Sequence, residues 1–240
     1  MDTQKILLSA ILIVGIIGLG ALMYGVFFSG PDLVAGNKTI LVLAADKDEQ
    51  PGGGVDMAFM VTLKNGKLKN YTAIYPGGMR HPTMAEPAPG VGGKMLLHDS
   101  LWNTSGPTNL QYAKEIVEYN TGEKFDAVVL IYNTGLDAVI DSIRPFEVNG
   151  VVSNLSATDI VRENDAYSGY GGPSPYGGTM SRGDAAMVLV KALVKAFKNP
   201  EKKNKMIQAA LDQYSKGNIM MEPQGSFNSL LATKGLDVLL

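Results

Sequence analysis

The chain has 240 residues, of which 45% are hydrophobic, a formal net charge of −2, and no cysteine. The missing thiols exclude disulfides, cysteine nucleophiles and Cys-ligated zinc. The near-neutral charge argues against nucleic acid as a partner, since the cluster Lys202, Lys203 and Lys205 reads as a solvated helix face.

Ile6 to Phe28 is apolar or small throughout and carries no charge. As a helix rising ~1.5 Å per residue it reaches roughly 35 Å, the scale of a bilayer core. The expectation is an uncleaved signal anchor: 1–5 as a short cytoplasmic N-terminus, 6–28 as a single-pass transmembrane helix, 29–38 as a linker and 39–240 as an extracytoplasmic body. Lys5 before the span favours that orientation through the positive-inside bias. Asn-x-Ser/Thr sequons at Asn37, Asn70, Asn103 and Asn154 point the same way, as possible N-glycosylation sites.

The body opens with a strand apolar on both faces, Thr39 to Ala45, which suits a central position in a layered α/β fold. It stops at Asp46 and enters a loop containing Gly52, Gly53 and Gly54. An alternating strand runs from Val55 to Leu63, and Asn65-Gly66 signals a tight hairpin, because both central positions of a type I′ turn need positive φ. The return strand ends at Tyr75. From Pro76 to Gly93 the richness in Pro and Gly predicts a long loop, followed by a short helix from Lys94 to Leu101. His81 and His98 read as surface or packed residues rather than ligands. A helix N-capped by Thr108 and stopped by Gly122 precedes the apolar strand Phe125 to Tyr132. A helix from Thr134 to Ile143 and a turn at Asn149-Gly150 follow, then a short helix to about Asn164.

Asp165 to Gly178 is flexible by composition and carries three tyrosines at 167, 170 and 176. Ser181 N-caps a largely buried helix from Arg182 to Phe197. Asn199-Pro200 opens a long helix ending at Gly217. Ile219 to Met221 reads as an edge strand and Phe227 to Thr233 as a terminal helix. The order of strands and helices predicts an α/β class, an α/β/α sandwich with a mixed β-sheet. Asp46, Asp56 and Arg80 fall at strand ends or in adjoining loops, where a scaffold positions binding groups. Arg182 sits in a helix's first turn, where the dipole disfavours a cation, so a partner carboxylate or an anionic ligand is required there.

Two passages, Leu41 to Thr72 and the set Leu97-His-Asp-Ser-Leu-Trp102, Thr121 to Val128 and Phe146 to Gly150, resemble the domain-of-unknown-function family 4012. So does the tail from Gly217 to Asp237. That family is similar to the LytR-CpsA-Psr cell-envelope proteins. The likeness implies a membrane-anchored α/β domain that transfers polyprenyl-phosphate-linked glycopolymers, with Mg²⁺ and arginines on the pyrophosphate. On that likeness Asp46 and Asp56 match the acidic residues ending the first strand and opening the second, and are the implied metal ligands. Arg80 matches the last arginine of the family's Pro-Arg-Asp-x-Arg motif, and Arg182 the arginine opening the late helix. The Arg-Asp pair of that motif is Gly77-Gly78 here, and an arginine of the first loop is Asp48. These losses remove part of the charge that phosphoryl transfer needs.

The functional expectation is a divergent pocket that binds a polyprenyl-phosphate-linked or polymeric glycan, with Asp46, Asp56, Arg80 and Arg182 converging on one cleft. The alternatives are an active LytR-CpsA-Psr-type phosphotransferase or pyrophosphatase using Mg²⁺, and an envelope scaffold without a small ligand. The lipid bilayer is the other expected partner. No phosphate loop, dinucleotide-binding turn or Gly-x-Ser-x-Gly elbow is present.

Overall fold

The computed structural model describes residues 33–49, 51–74, 77–102, 107–166, 177–224 and 226. The central sheet is mixed and five-stranded, in the order β3-β2-β1-β6-β9. Strand β1 (Asn37–Asp46) pairs antiparallel with β2 (Gly54–Lys64) and parallel with β6 (Ala127–Tyr132). Strand β3 (Lys67–Ile74) and strand β9 (Ile219–Glu222) close the two edges, each antiparallel to its neighbour. The apolar run of β1 is central because both its faces are covered. Leu41, Leu43 and Ala45 enter one core, while Ile40, Val42 and Ala44 pack into two others. Asn65 and Gly66 have φ of 49° and 67°, the left-handed pair that the β2–β3 turn demands.

Helix α1 (Pro107–Thr121) covers the first face through Leu110, Ala113, Ile116 and Val117, against Val128, Leu130 and Tyr132. The small hairpin of β4 (Arg80–Ala85) and β5 (Lys94–Leu96) lies on this side, with Met95 and Met79 in the same core. On the other face lie α2 (Asn133–Ser142), α3 (Ala157–Asn164), α4 (Arg182–Phe197) and α5 (Pro200–Ser215). Ile140, Ile160, Leu189 and Met206 join these four helices. Strands β7 (Phe146–Val148) and β8 (Val151–Ser153) form a hairpin across Asn149-Gly150, again with both φ positive. Ser156, Ser181 and Asn199 cap α3, α4 and α5, each side chain accepting from backbone N–H groups of its first turn.

The expected short helix at 94–101 is a strand followed by turns. Glu86 explains the change: its carboxylate accepts from Ala88 N at 3.0 Å and Leu96 N at 2.8 Å, tying β5 to the end of β4. The Pro-rich stretch at 76–93 correspondingly contains β4 rather than only loop. His81 holds that strand in place. It is buried, its Nδ1 accepts from Thr83 N and Met84 N, and its Nε2 faces the Glu115 carboxylate at 2.9 Å.

The expectation of a single-pass membrane protein is corrected: among the described residues no helix is long and apolar enough to cross a membrane. The 6–28 span, the terminal helix at 227–233 and the tyrosines at 167, 170 and 176 lie outside the described residues. Of the sequons, Asn37, Asn70 and Asn154 are exposed, while Asn103 also lies outside the described residues.

Candidate functional site

A cavity of about 180 Å³ opens at the C-terminal end of β1, between the sheet and the α2, α3 and α4 helices. Ala44, Met57, Phe59 and Ile131 supply its sheet wall, and Leu136, Val161, Leu189 and Leu193 its helical wall. The register explains this lining. Successive residues of a strand point to opposite faces, so Ala44, Met57, Phe59 and Ile131 all project to the α4 side. A bulge between Ala44 and Ala45 carries the chain into the loop where Asp46 sits.

Among the described residues the lining also contains the charged side chains of Asp46, Asp56, Asp165, Arg162 and Arg182. Asp46 Oδ1 accepts from Asp48 N and from Asn133 Nδ2, both at 3.0 Å. Asn133 in turn begins α2, so the end of β1 and the start of that helix are joined through one carboxylate. Arg182 Nε donates to Asp165 Oδ2 at 2.9 Å, and Asp165 is only 3% exposed. A partner carboxylate therefore accounts for a cation in the first turn of α4. Arg162, exposed on α3, has no carboxylate partner among the described residues.

Burial pushes the Asp56 carboxyl above its ordinary value, and the charges of Glu49 and Asp46 add to that. Arg182 and His98 pull in the other direction without prevailing. Asp56 thus lies within electrostatic reach of the cavity and of a second group of side chains. Glu49, Asp56 and His98 each present one ligand-type atom, and these atoms lie within 4.8 Å of one another. His98 Nδ1 is 2.8 Å from Asp99 Oδ1, and its Nε2 is 3.4 Å from Glu49 Oε2. Burial pushes the His98 imidazole down, but its hydrogen bond to Asp99 and the Glu49 carboxylate outweigh this and leave it raised. Val55 N donates to His98 O at 3.0 Å, which docks the His98 turn onto the start of β2.

Asp46, Asp56 and Arg182 line one cavity, whereas Arg80 does not. Arg80 stands on β4, on the α1 side of the sheet. Its guanidinium donates to the Lys94 carbonyl and lies against Gly93, and its own carbonyl accepts from Asn120 of α1 at 2.9 Å. The expected convergence of all four residues on one cleft is therefore corrected to three. The hairpin geometry of β4–β5 decides it, by carrying Arg80 to the opposite face. Glu49, His98, Arg162 and Asp165 were not among the candidates from sequence. They reach the site from separate loops and helices, and no spacing in the chain marks them as neighbours.

The fold is similar to that of protein gbs0355 from Streptococcus agalactiae, at 14% identity and a TM-score of 0.50, over 87% of this chain and 77% of that one. It is also similar to the transcriptional regulator yvhJ from Bacillus subtilis (16% identity, TM-score 0.48, 82% and 77% covered). B. subtilis TagV is a further neighbour (16%, 0.46, 82% and 80%). At such identities the likeness is one of fold alone. No curated protein matches the sequence. A family model described as a protein of unknown function (DUF4012) matches residues 35–167, the stretch from the start of β1 through α3 that builds most of the cavity. With more than half of its length matched in this way, the chain belongs to the DUF4012 family.

Proposed function

We propose that the cavity binds an amphiphile with a phosphate-bearing head and an aliphatic tail, a polyprenyl-phosphate-linked glycan being the class that fits best. The supporting observation is the distribution of polarity in the lining. An apolar interior of Phe59, Ile131, Leu136, Val161, Leu189 and Leu193 meets Arg162 and Arg182 in a single cavity. An aliphatic chain gains about 25 cal/mol for each Å² of apolar surface removed from water, and arginine pairs with phosphate oxygens in a geometry that lysine does not match. Asp46, Asp56 and Asp165 sit among the arginines, so a bare anion would meet repulsion as well as attraction. The tail is what tips the balance toward binding.

Phosphoryl transfer or pyrophosphate cleavage at the same place is a second reading. It is favoured by the carboxylates Asp46 and Asp56 beside the arginines. It requires further neutralisation of charge, because among the described residues Arg162 and Arg182 are the arginines that line the cavity, while Arg80 faces away.

The test is equilibrium binding of a short-chain polyprenyl phosphate, the matching polyprenol and inorganic phosphate to the full chain. Arg162→Ala should weaken the polyprenyl phosphate by about tenfold, the scale of one charge-assisted contact, and leave the polyprenol unaffected. Ala186→Phe fills the cavity from α4 and should abolish binding of both. Equal binding of the phosphate ester to wild type and Ala186→Phe would sink the proposal. Phosphate release from a polyprenyl pyrophosphate, lost in Asp56→Asn, would establish the second reading.

A further inference from the structure

We infer that Glu49, Asp56 and His98 form a divalent-cation site of mixed oxygen and nitrogen character, suited to a borderline ion such as Zn²⁺ or Mn²⁺. This set differs from an Asp46–Asp56 pair. It draws on the β1–β2 loop, the start of β2 and the segment after β5. The ligand atoms already lie within 4.8 Å of one another. A bound cation about 2.0–2.2 Å from each donor sets those donors roughly 3 Å apart, which small side-chain rotations achieve.

Two independent features point to a ligand. The first is His98. Its Nδ1 faces the buried carboxylate of Asp99 at 2.8 Å, and this leaves Nε2 directed at Glu49 and Asp56. A carboxylate behind a ligating histidine fixes its tautomer and orientation, the usual support for a metal-bound imidazole. The second is Gly54. A Cβ there would lie 2.6 Å from Glu49 Oε2 and 2.8 Å from His98 Nε2. The φ of Gly54 is not positive, so no turn conformation requires glycine at this position. The missing side chain is instead what lets the carboxylate and the imidazole close over the backbone.

One imidazole with two carboxylates suits Zn²⁺ or Mn²⁺ better than Mg²⁺, which prefers an all-oxygen octahedron and retains its waters. Three protein ligands leave coordination positions open, and Asp56 also lines the amphiphile cavity. A cation held there borders the place proposed for the phosphate head. The metal site is tested without any amphiphile, so either proposal can fail while the other stands.

The experiment is calorimetric titration of the full chain, stripped with chelator, with ZnCl₂, MnCl₂ and MgCl₂ in turn. The expected result is one equivalent of Zn²⁺ or Mn²⁺ bound more tightly than Mg²⁺. Glu49→Gln, at a side chain that is partly exposed, should weaken it by about tenfold or more, as should His98→Gln. Gly54→Ala keeps every donor and should also weaken it, and by more than Asp46→Asn, which removes only a neighbouring charge. Circular dichroism confirms that each variant is folded. Cation binding unaffected by Glu49→Gln and His98→Gln, binding of Mg²⁺ lost only in Asp46→Asn, or no binding at all would each overturn the site. The last outcome would leave His98 as an ion-pair partner of Glu49.

Discussion

At the scale of single residues, the charged groups behind the cavity differ in what they do for the fold. Arg182 is tied to a nearly buried carboxylate, so its removal leaves Asp165 without that partner. Arg162 carries no such duty among the described residues. Arg182→Ala should therefore lower stability by roughly 1–3 kcal/mol as well as weaken ligand binding, while Arg162→Ala should affect binding alone. Chemical denaturation of the two variants side by side distinguishes these roles. Asp137 gives a pH-dependent case. Burial raises its pKa above the usual 3.8, partly offset by the hydrogen bond from Ala157 N, with Asp141 and Asp159 adding to the rise. A carboxyl raised on folding binds its proton more tightly in the native state, so ionisation costs stability once pH exceeds the unfolded value. Asp137→Asn keeps an acceptor for Ala157 N and removes that charge. It should raise stability near pH 7 by a few tenths of a kcal/mol, given the group's partial exposure, and the gain should vanish below about pH 4. A gain that grows as pH falls would contradict the assignment.

Elements are held in place by a small number of backbone contacts. The β1–β2 loop is pinned where the Tyr132 hydroxyl donates to Gly52 O at 2.7 Å. Gly52 has a φ of 96°, and a Cβ there would stand 1.9 Å from the Leu101 carbonyl oxygen. Both the backbone conformation and the close approach demand glycine. Gly52→Ala should cost roughly 2 kcal/mol or more and displace Glu49, visible as a lower thermal midpoint together with weakened cation binding. His81 does comparable work for β4. Because Nδ1 accepts two backbone N–H groups, the proton is carried on Nε2, facing Glu115. His81→Leu would strand those donors and should cost on the order of 2–4 kcal/mol in denaturant unfolding, with no effect on the cavity across the sheet.

For the molecule as a whole, the sheet is the platform and its two faces have separate tasks. The α1 face is a packed core in which Leu41, Leu43, Leu97, Leu110, Ile116 and Leu130 are almost fully buried. The other face is interrupted near the end of β1, and the cavity occupies the gap between sheet and helices. Leu130→Ala on the packed face should lose about 3 kcal/mol, as a cavity opens with nothing to fill it. Ala186→Phe on the open face should be tolerated, because the space it enters already exists. A variant pair that behaved the other way round would mean that the packed and open faces had been exchanged.

Much of this architecture is legible in the amino-acid sequence because its causes are local. Two-sided apolarity in residues 39–45 marks a central strand. Asn65-Gly66 and Asn149-Gly150 mark hairpins through the positive φ that only such residues adopt readily. Ser181 and Asn199 mark helix starts through the hydrogen bonds that their side chains accept. The stretch at 76–101 departs from its local pattern, forming β4 and β5, for a matching reason. Its strands are held by Glu86, whose carboxylate ties Ala88 to Leu96 across the hairpin, and by His81, which reaches Glu115 of α1, and no periodic pattern in the chain records either. The candidate site divides in the same way. Asp46, Asp56 and Arg182 can be found at the ends of strands and helices from sequence alone. Only the tertiary structure decided that Arg80 faces the opposite side and that Glu49 and His98 join Asp56 over Gly54. Sheet register and the packing of α3 and α4 settle which side chains meet, and both depend on contacts between residues far apart in the chain.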